Sequence, residues 1–415
     1  MLKDARAAKP PRPFEGLDVR FLRFCMALAA AGLIAAVAPS PLQAENFNTG
    51  ADVALVEDYD SGTVLFEKSA DDPMAPGATA KLMTAEIIFH ELKEGRLKLD
   101  DLFEVSEKAW REGGAPSRGP AMFLAIHSSV RIEDLLRGLI IQSGNDAAMT
   151  LAEGMAGTEE NFAAIMNKRA AALGMTRSHF VDPRGRYDQS QQVTARDMAL
   201  LAQHVIRDYP EYYHYFGEKE FTWNKIRQLN RNPLITMDIG ADGLKAGDVA
   251  EGGFALVGSA VQDNQRLIVV LNGMKSSAER ADETRKLFNY GFHSFDRRVL
   301  YQPGDNVGAA EVYGGATGEV PLMSDRPVAL FLPRGETDKI VAKIVYTGPL
   351  PAPVKRGKEV GRLKIWRADM LVIDIPLQTG ADVALGGLTR RAFDAGVEFT
   401  GGVLRQTLGR ALARP

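Results

Sequence analysis

The sequence predicts an α/β (α+β) domain, a sheet flanked by helices, followed by a small all-β domain and a C-terminal amphipathic helix. Three observations carry that expectation. Strand-like segments stand at both ends of region 45–298 with amphipathic helical patterns between them, so the terminal strands should pair in one helix-flanked sheet. From about Val299 the texture changes to short alternating runs, "PVALFLPRG", "KIVAKIVYTG", "EVGRLKIWR" and "MLVIDIPLQ", punctuated by Pro, Gly and Asp. That pattern reads as an all-β domain over 299–390. Region 391–415 differs again: Leu404, Leu408, Ala411 and Leu412 share one helical face, flanked by Arg405, Arg410 and Arg414. A basic amphipathic helix of this kind suits an anionic membrane surface; a frayed surface helix is the alternative.

The elements follow in order. Arg20 and Arg23 precede the apolar run "FCMALAAAGLIAAVA", and "PSPLQAENF" then offers a cut after Ala44. Basic flank, short apolar run and small residue at the cut are the layout of a secretory signal over 1–44. A membrane-spanning helix would need about 20 apolar residues. The only cysteine, Cys25, lies inside the run. A lipid-modified cysteine would follow that run, and the exported chain would do without disulfides. Next, "VALVEDY" and "TVLFEKS" read as a hairpin through Asp60-Ser61-Gly62. Leu82, Met83, Ile87, Ile88 and Leu92 recur at helical spacing and predict a helix from Ala78 to about Gly95. "RIEDLLRGLIIQSGNDAAMTLAEGMAG" is helical but interrupted at Ser143-Gly144-Asn145. "TEENFAAIMNKRAAALGM" and "TARDMALLAQHVI" are amphipathic helices, the second N-capped by Thr194. "GGFALVGSAVQDNQRLIVVLNGM" reads as two strands and a turn, and "SSAERADETRKLFNYGF" as a closing helix.

At 415 residues and 45% hydrophobic, the chain can build two or three cores. Its net charge is −3, and residues 1–44 carry +3 of their own, so the remainder is acidic. That balance excludes a nucleic-acid-binding chain. The six histidines, His90, His127, His179, His204, His214 and His293, form no ligand-spaced pair, so no metal is expected.

One residue asks for chemistry. Lys81 stands in the first turn of an apolar helix, where a lysine costs desolvation energy unless it is used or paired. Burial lowers its pKa and makes it a base. A serine three residues earlier would sit about 300° round the helix, hence beside it, at a helix start whose amides can receive an oxyanion. That is the Ser-x-x-Lys device of acyl-transfer enzymes. Lys81 fits the device, but the serine position is Ala78. Thr79 is about 200° from Lys81 and points elsewhere. Ser143 and Asn145, breaking a helical pattern, are expected to face a cleft, and Lys245-Ala246-Gly247 precedes the strand that begins near Gly253. Either triplet alone recurs by chance or reads as solvated surface; their order and separations carry the weight.

"KLMTAE", "EDLLRGLIIQSGNDAAMTLAEGMAG", "ADGLKAG", "LVGSAV", "ERADETRKLFNYGF" and "PAPVKRGKEVGRLKI" together span nearly the whole chain after residue 44. On these segments the sequence resembles the serine-type D-Ala-D-Ala carboxypeptidases, the low-molecular-mass penicillin-binding proteins. Their β-lactamase/transpeptidase-like fold is shared with active-site-serine β-lactamases. The resemblance implies no cofactor. It implies a substrate ending in D-Ala-D-Ala, the peptidoglycan stem peptide, and a periplasmic protein held on the outer face of the inner membrane by its tail. Lys81 takes the place of the general base. Ser143 and Asn145 match the pair that relays protons and holds the substrate amide. Lys245 and Gly247 match the third motif on the strand edging the cleft, and the Asp248 amide would be an oxyanion donor. Arg280 aligns with an arginine near the pocket for the terminal carboxylate; its alternative is a surface charge beside Glu279 and Asp282.

The departures from the family pattern are as informative. Serine is replaced by Ala78, threonine or serine by Ala246, and a segment usually reading Asn-x-x-Gly-Leu is here "DPRGRYD", Asp182 to Asp188. Loss of the nucleophile costs on the order of 10⁶ in kcat. Loss of the hydroxyl at 246 costs one hydrogen bond to a charged carboxylate, about 1.5–3 kcal/mol. Lys81 is left as a lone ammonium or pairs with Ser143 or Asn145. Two readings follow: a carboxypeptidase impaired in stem-peptide trimming, or a non-catalytic relative that binds peptidoglycan or a wall partner. Departures at separate motifs favour natural degeneration over one introduced change. A β-lactamase would leave the β domain and basic tail without a role.

Overall fold

The computed structural model describes residues 47–249, 253–335, 339–367 and 369–395. The expected signal 1–44 lies outside these residues, as do residues 396–415 of the expected tail; residues 388–395 are helical.

The first hairpin forms as the sequence predicts, β1 (Val53–Asp58) against β2 (Val64–Lys68). The later strands are β3 (Ala241–Val249), β4 (Gly253–Gln262) and β5 (Gln265–Met274). They assemble into one antiparallel sheet in the order β2–β1–β5–β4–β3, so the ends of the domain meet at its centre. The reason is legible in β1, which is buried at all six positions. Its side chains alternate between two cores: Val53 and Leu55 join one, Ala54 and Val56 the other. β5 repeats the division, with Ile268 and Val270 on one side and Leu267, Val269 and Leu271 on the other. Strands apolar on both faces need helices on both faces.

The first core lies between the sheet and six helices: α1 (Lys81–Lys93), α2 (Ile132–Ile140), α3 (Asn145–Ala156), α4 (Glu159–Leu173), α5 (Ala195–Asp208) and α6 (Pro210–Gly217). Thr194 caps α5 as expected, its side chain accepting the Asp197 amide. The opposite face is covered by α7 (Ser277–His293) through Leu287 and Phe288. That second core continues without a break into the all-β part, which begins at Phe295, through edge-to-face contacts of Phe295 with Tyr290 and Phe331. Strand Phe295–Tyr301 pairs with Val328–Pro333, and six further strands between Asn306 and Thr379 form a second sheet.

One expectation needs correction: the helix predicted from Ala78 to about Gly95 opens as a tight 3₁₀ turn over Gly77–Ala80 before α1 begins at Lys81. The Lys245-Ala246-Gly247 triplet precedes the strand that begins at Gly253, as expected, and itself lies within a further strand that local patterning did not signal, the edge strand β3, paired to β4. Its glycines and charges hid a strand whose other neighbour is the cleft.

Candidate active-site cleft

A cleft of about 560 Å³ opens between the helical lobe and β3, and Ala78, Lys81, Ser143, Asn145, Ala246, Asp248 and Arg280 all line it. Lys245 and Gly247 stand behind its wall. Nine positions spread over some 200 residues of sequence are thus brought to one place.

The turn Gly77–Ala80 sets Ala78 at the cleft surface, and its Thr79 amide donates to the carbonyl of the N-cap Pro76 at 3.2 Å. Gly247 is required for β3 to approach it. A Cβ there would stand 2.8 Å from the Thr79 nitrogen and 3.1 Å from that of Ala78. The Thr79 hydroxyl donates to the Pro76 carbonyl at 2.6 Å and is buried, so it does not serve the cleft.

Lys81 is 2% exposed. Its Nζ donates to Asn145 Oδ1 at 2.8 Å and to the Arg184 carbonyl at 2.7 Å. Of the partners expected for it, Asn145 is taken and Ser143 is not. Burial lowers this amine to about 7; Asp182 opposes that shift, and Arg184 and Arg231 add to it. Two acceptors, neither a carboxylate, satisfy the two N–H groups of a neutral amine. Ser143 instead accepts from Lys245 Nζ at 2.9 Å. Lys245 is fully enclosed, and burial pushes its amine well below the ordinary value, reinforced by neighbouring Lys81. Ser143 holds a left-handed backbone, φ 62°, the break between α2 and α3 that the sequence signalled. Asp146 anchors this turn: its buried carboxylate accepts the amides of Met122 (2.9 Å), Leu124 (3.1 Å) and Ala147 (2.9 Å).

Arg280 is not a surface charge. It is 5% exposed, its Nη1 donating to the Gly247 carbonyl (3.1 Å) and Asp248 Oδ1 (3.0 Å) and its Nη2 to Ser277 (3.0 Å), with its planar group over Phe254. Among the described residues its buried Nε has no partner.

The "DPRGRYD" segment forms the wall beside Lys81. Asp182 accepts the amides of Arg184, Gly185 and Arg186 at 3.0, 2.7 and 2.9 Å, which folds the loop and aims the Arg184 carbonyl at Lys81. Gly185 has φ 79°, and a Cβ there would fall 1.7 Å from the Gly77 carbonyl oxygen. Arg231, Glu112, Ser117 and Phe254 also line the cleft. Sequence reasoning did not single them out: Glu112 and Ser117 lie in short helical turns, Arg231 in a loop, and Phe254 near the start of β4, and long-range packing brings them to the cleft.

Two buried amines whose pKa values burial lowers, the turn that opens α1 and a guanidinium thus converge on one slot. Position 78 supplies it no nucleophile. A cleft of this construction, in a sheet-and-helix domain joined to a β domain, defines the class of penicillin-recognising acyl-transfer proteins. Comparison with known proteins narrows it. Residues 39–276 match the D-alanyl-D-alanine carboxypeptidase family, and residues 295–385 match the penicillin-binding protein 5 C-terminal domain. The chain belongs to the D-alanyl-D-alanine carboxypeptidase family. It is 38% identical over 343 residues to the D-alanyl-D-alanine carboxypeptidase DacC of Escherichia coli, covering 82% of this chain and 86% of that one. It is 35% identical to DacD of Salmonella typhimurium, covering 89% and 95%. Among solved structures, penicillin-binding protein 5 from Haemophilus influenzae superposes with a TM-score of 0.75 at 32% identity, covering 82% of this chain and 100% of that one.

Proposed function

We propose that this protein binds peptidoglycan stem peptides ending in D-Ala-D-Ala in the cleft without forming the acyl-enzyme that trims them. The observation that carries this is the contrast at one spot: Lys81 is held as a base by Asn145 and Arg184, while its neighbour at position 78 is a methyl group. In this reading Lys81, Ser143 and Asn145 hold the scissile amide. The amides of Ala78 and Asp248 receive its carbonyl. Lys245, Gly247 and Arg280 frame the terminal carboxylate, which lacks the hydroxyl that Ala246 no longer supplies. The N-terminal pattern over 1–44 supports export to the periplasm, and the basic amphipathic pattern over 391–415 supports contact with the inner-membrane surface. Among the described residues no helix is long and apolar enough to cross a membrane.

The test is calorimetric titration of the exported chain with a D-Ala-D-Ala-terminated peptide, with free D-alanine assayed in parallel. Saturable binding with no D-alanine released above background is expected. Steady release of D-alanine would restore the trimming activity to this chain, and absence of binding would remove the stem peptide as its ligand.

A further inference from the structure

A chain of four charged side chains runs from the surface inward to the wall behind Lys81: Lys108, Glu159, Arg184 and Asp182. Lys108 precedes the turn Ala109–Gly113; its side chain is 40% exposed and its Nζ lies 2.9 Å from Glu159 Oε1. Glu159 is the first residue of α4 and is buried, and its Oε2 lies 3.1 Å from Arg184 Nε. That same nitrogen donates to Asp182 Oδ2 at 3.0 Å. The carbonyl of Arg184 in turn accepts from Lys81 Nζ at 2.7 Å.

Asp182 by itself accounts for the shape of the loop. Its carboxylate accepts the amides of Arg184, Gly185 and Arg186 and the Nε–H of Arg184. That nitrogen carries one proton, so none is left for Glu159. Glu159 Oε2 is accordingly buried with no hydrogen-bond partner among the described residues. A buried carboxylate oxygen without a hydrogen bond is costly unless a counter-charge offsets it. Here the counter-charge is the Arg184 guanidinium, so one buried guanidinium faces two carboxylates. The same guanidinium neighbours Lys81, where its charge opposes an ammonium. Arg231 and Lys245 oppose it too, while Asp182 and Asp146 favour it.

We propose that Glu159 is a positioning residue for the base of the cleft: acting through Arg184, it draws that guanidinium toward α4 and offsets its charge, and so leaves the Lys81 amine able to take up and return a proton beside a bound ligand. Arg184 acts on Lys81 in two opposed ways, through a carbonyl that accepts from the amine and a guanidinium that repels its ammonium. Glu159 answers the second without disturbing the first. A mere tie between α4 and the loop would leave the proton affinity of Lys81 unchanged when the Glu159 carboxylate becomes an amide. The role of Glu159 is independent of which ligand the cleft takes.

The probe is the Cε nuclear magnetic resonance signal of Lys81 in the exported chain isotopically labelled at lysine, assigned with Lys81→Met and followed through a pH titration. In Glu159→Gln the ammonium loses a favourable charge. The Lys81 midpoint should therefore fall from about 7 by at least about half a pH unit, roughly threefold in proton affinity. In Arg184→Gln it should rise, and in Glu159→Gln/Arg184→Gln it should lie below its value in Arg184→Gln. That last comparison serves even where Glu159→Gln alone does not fold. In the Ala78→Ser background, the pH at which penicillin labelling accelerates should move down with Glu159→Gln. A folded Glu159→Gln whose Lys81 titrates at the unaltered pH or higher overturns the proposal, as does a double variant indistinguishable from Arg184→Gln. The titration involves no ligand, so either result leaves the stem-peptide reading to its own calorimetry.

Discussion

Restoring one oxygen atom is the sharpest perturbation this cleft allows. In Ala78→Ser the new hydroxyl enters the cleft three residues before Lys81, whose Nζ is already fixed by Asn145 Oδ1 at 2.8 Å and the Arg184 carbonyl at 2.7 Å. No element has to move, because Gly247 already packs against the Ala78 amide. Removing such a nucleophile costs on the order of 10⁶ in rate, about 8 kcal/mol at 1.36 kcal/mol per tenfold. Ala78→Ser should therefore be acylated about 10⁶-fold faster than the unaltered chain. Adding Ala246→Thr supplies a further hydrogen bond worth about 1.5–3 kcal/mol, roughly another 10- to 100-fold. The assay is time-resolved labelling by a fluorescent penicillin, with intact mass to confirm one adduct per chain. The rate for Ala78→Ser should climb as pH rises through about 7, where Lys81 loses its proton. A stoichiometric adduct on the unaltered chain would refute the reasoning. So would a folded Ala78→Ser/Ala246→Thr variant that never labels.

Three further outcomes are expected. Lys81 titrates at about 7 in the folded chain against an ordinary value of 10.5, so between those values the unfolded chain binds more protons and stability rises with pH. Lys81→Met should therefore raise the melting temperature at pH 6 and progressively less toward pH 10; a lower melting temperature at pH 6 would contradict this. Gly185→Ala must relieve a contact 1.7 Å from the Gly77 carbonyl at a left-handed φ, and should destabilise by more than about 2 kcal/mol while weakening peptide binding, measured by denaturant titration and calorimetry. Truncation after Phe399 should release the exported protein from membranes into the soluble fraction, and unchanged partition would remove the tail as an anchor.

Much of the fold is written locally. β1 and β5 are apolar at successive positions, which forces them into the middle of a sheet covered on both faces. Thr194 announces the start of α5 by the hydrogen bond its hydroxyl can make, and Ser143-Gly144-Asn145 marks a break that no helix could absorb. β3 was obscured because an edge strand bordering a cleft carries the glycines and charges the cleft needs, and these erase the alternation by which strands are recognised.

The sequence by itself determined the family, the identity of Lys81, Ser143, Asn145 and Lys245 as cleft residues, and the absence of a hydroxyl at position 78. Those are statements about residue types at fixed separations along the chain. Partner choice belongs to the tertiary structure. Lys245 crosses 102 positions to reach Ser143, and Lys81 crosses 103 to reach the carbonyl of Arg184. Likewise only the packing of α7 over β4 and β5, which lets its Arg280 reach Gly247 and Asp248 of β3, turns that residue from a helix-surface charge beside Glu279 into a buried guanidinium, and only the Asp182 turn brings Arg186 into the cleft with Arg231. Hydrogen bonds and desolvation depend on distance in space, and here that distance is set by the sheet that joins the two ends of the first domain.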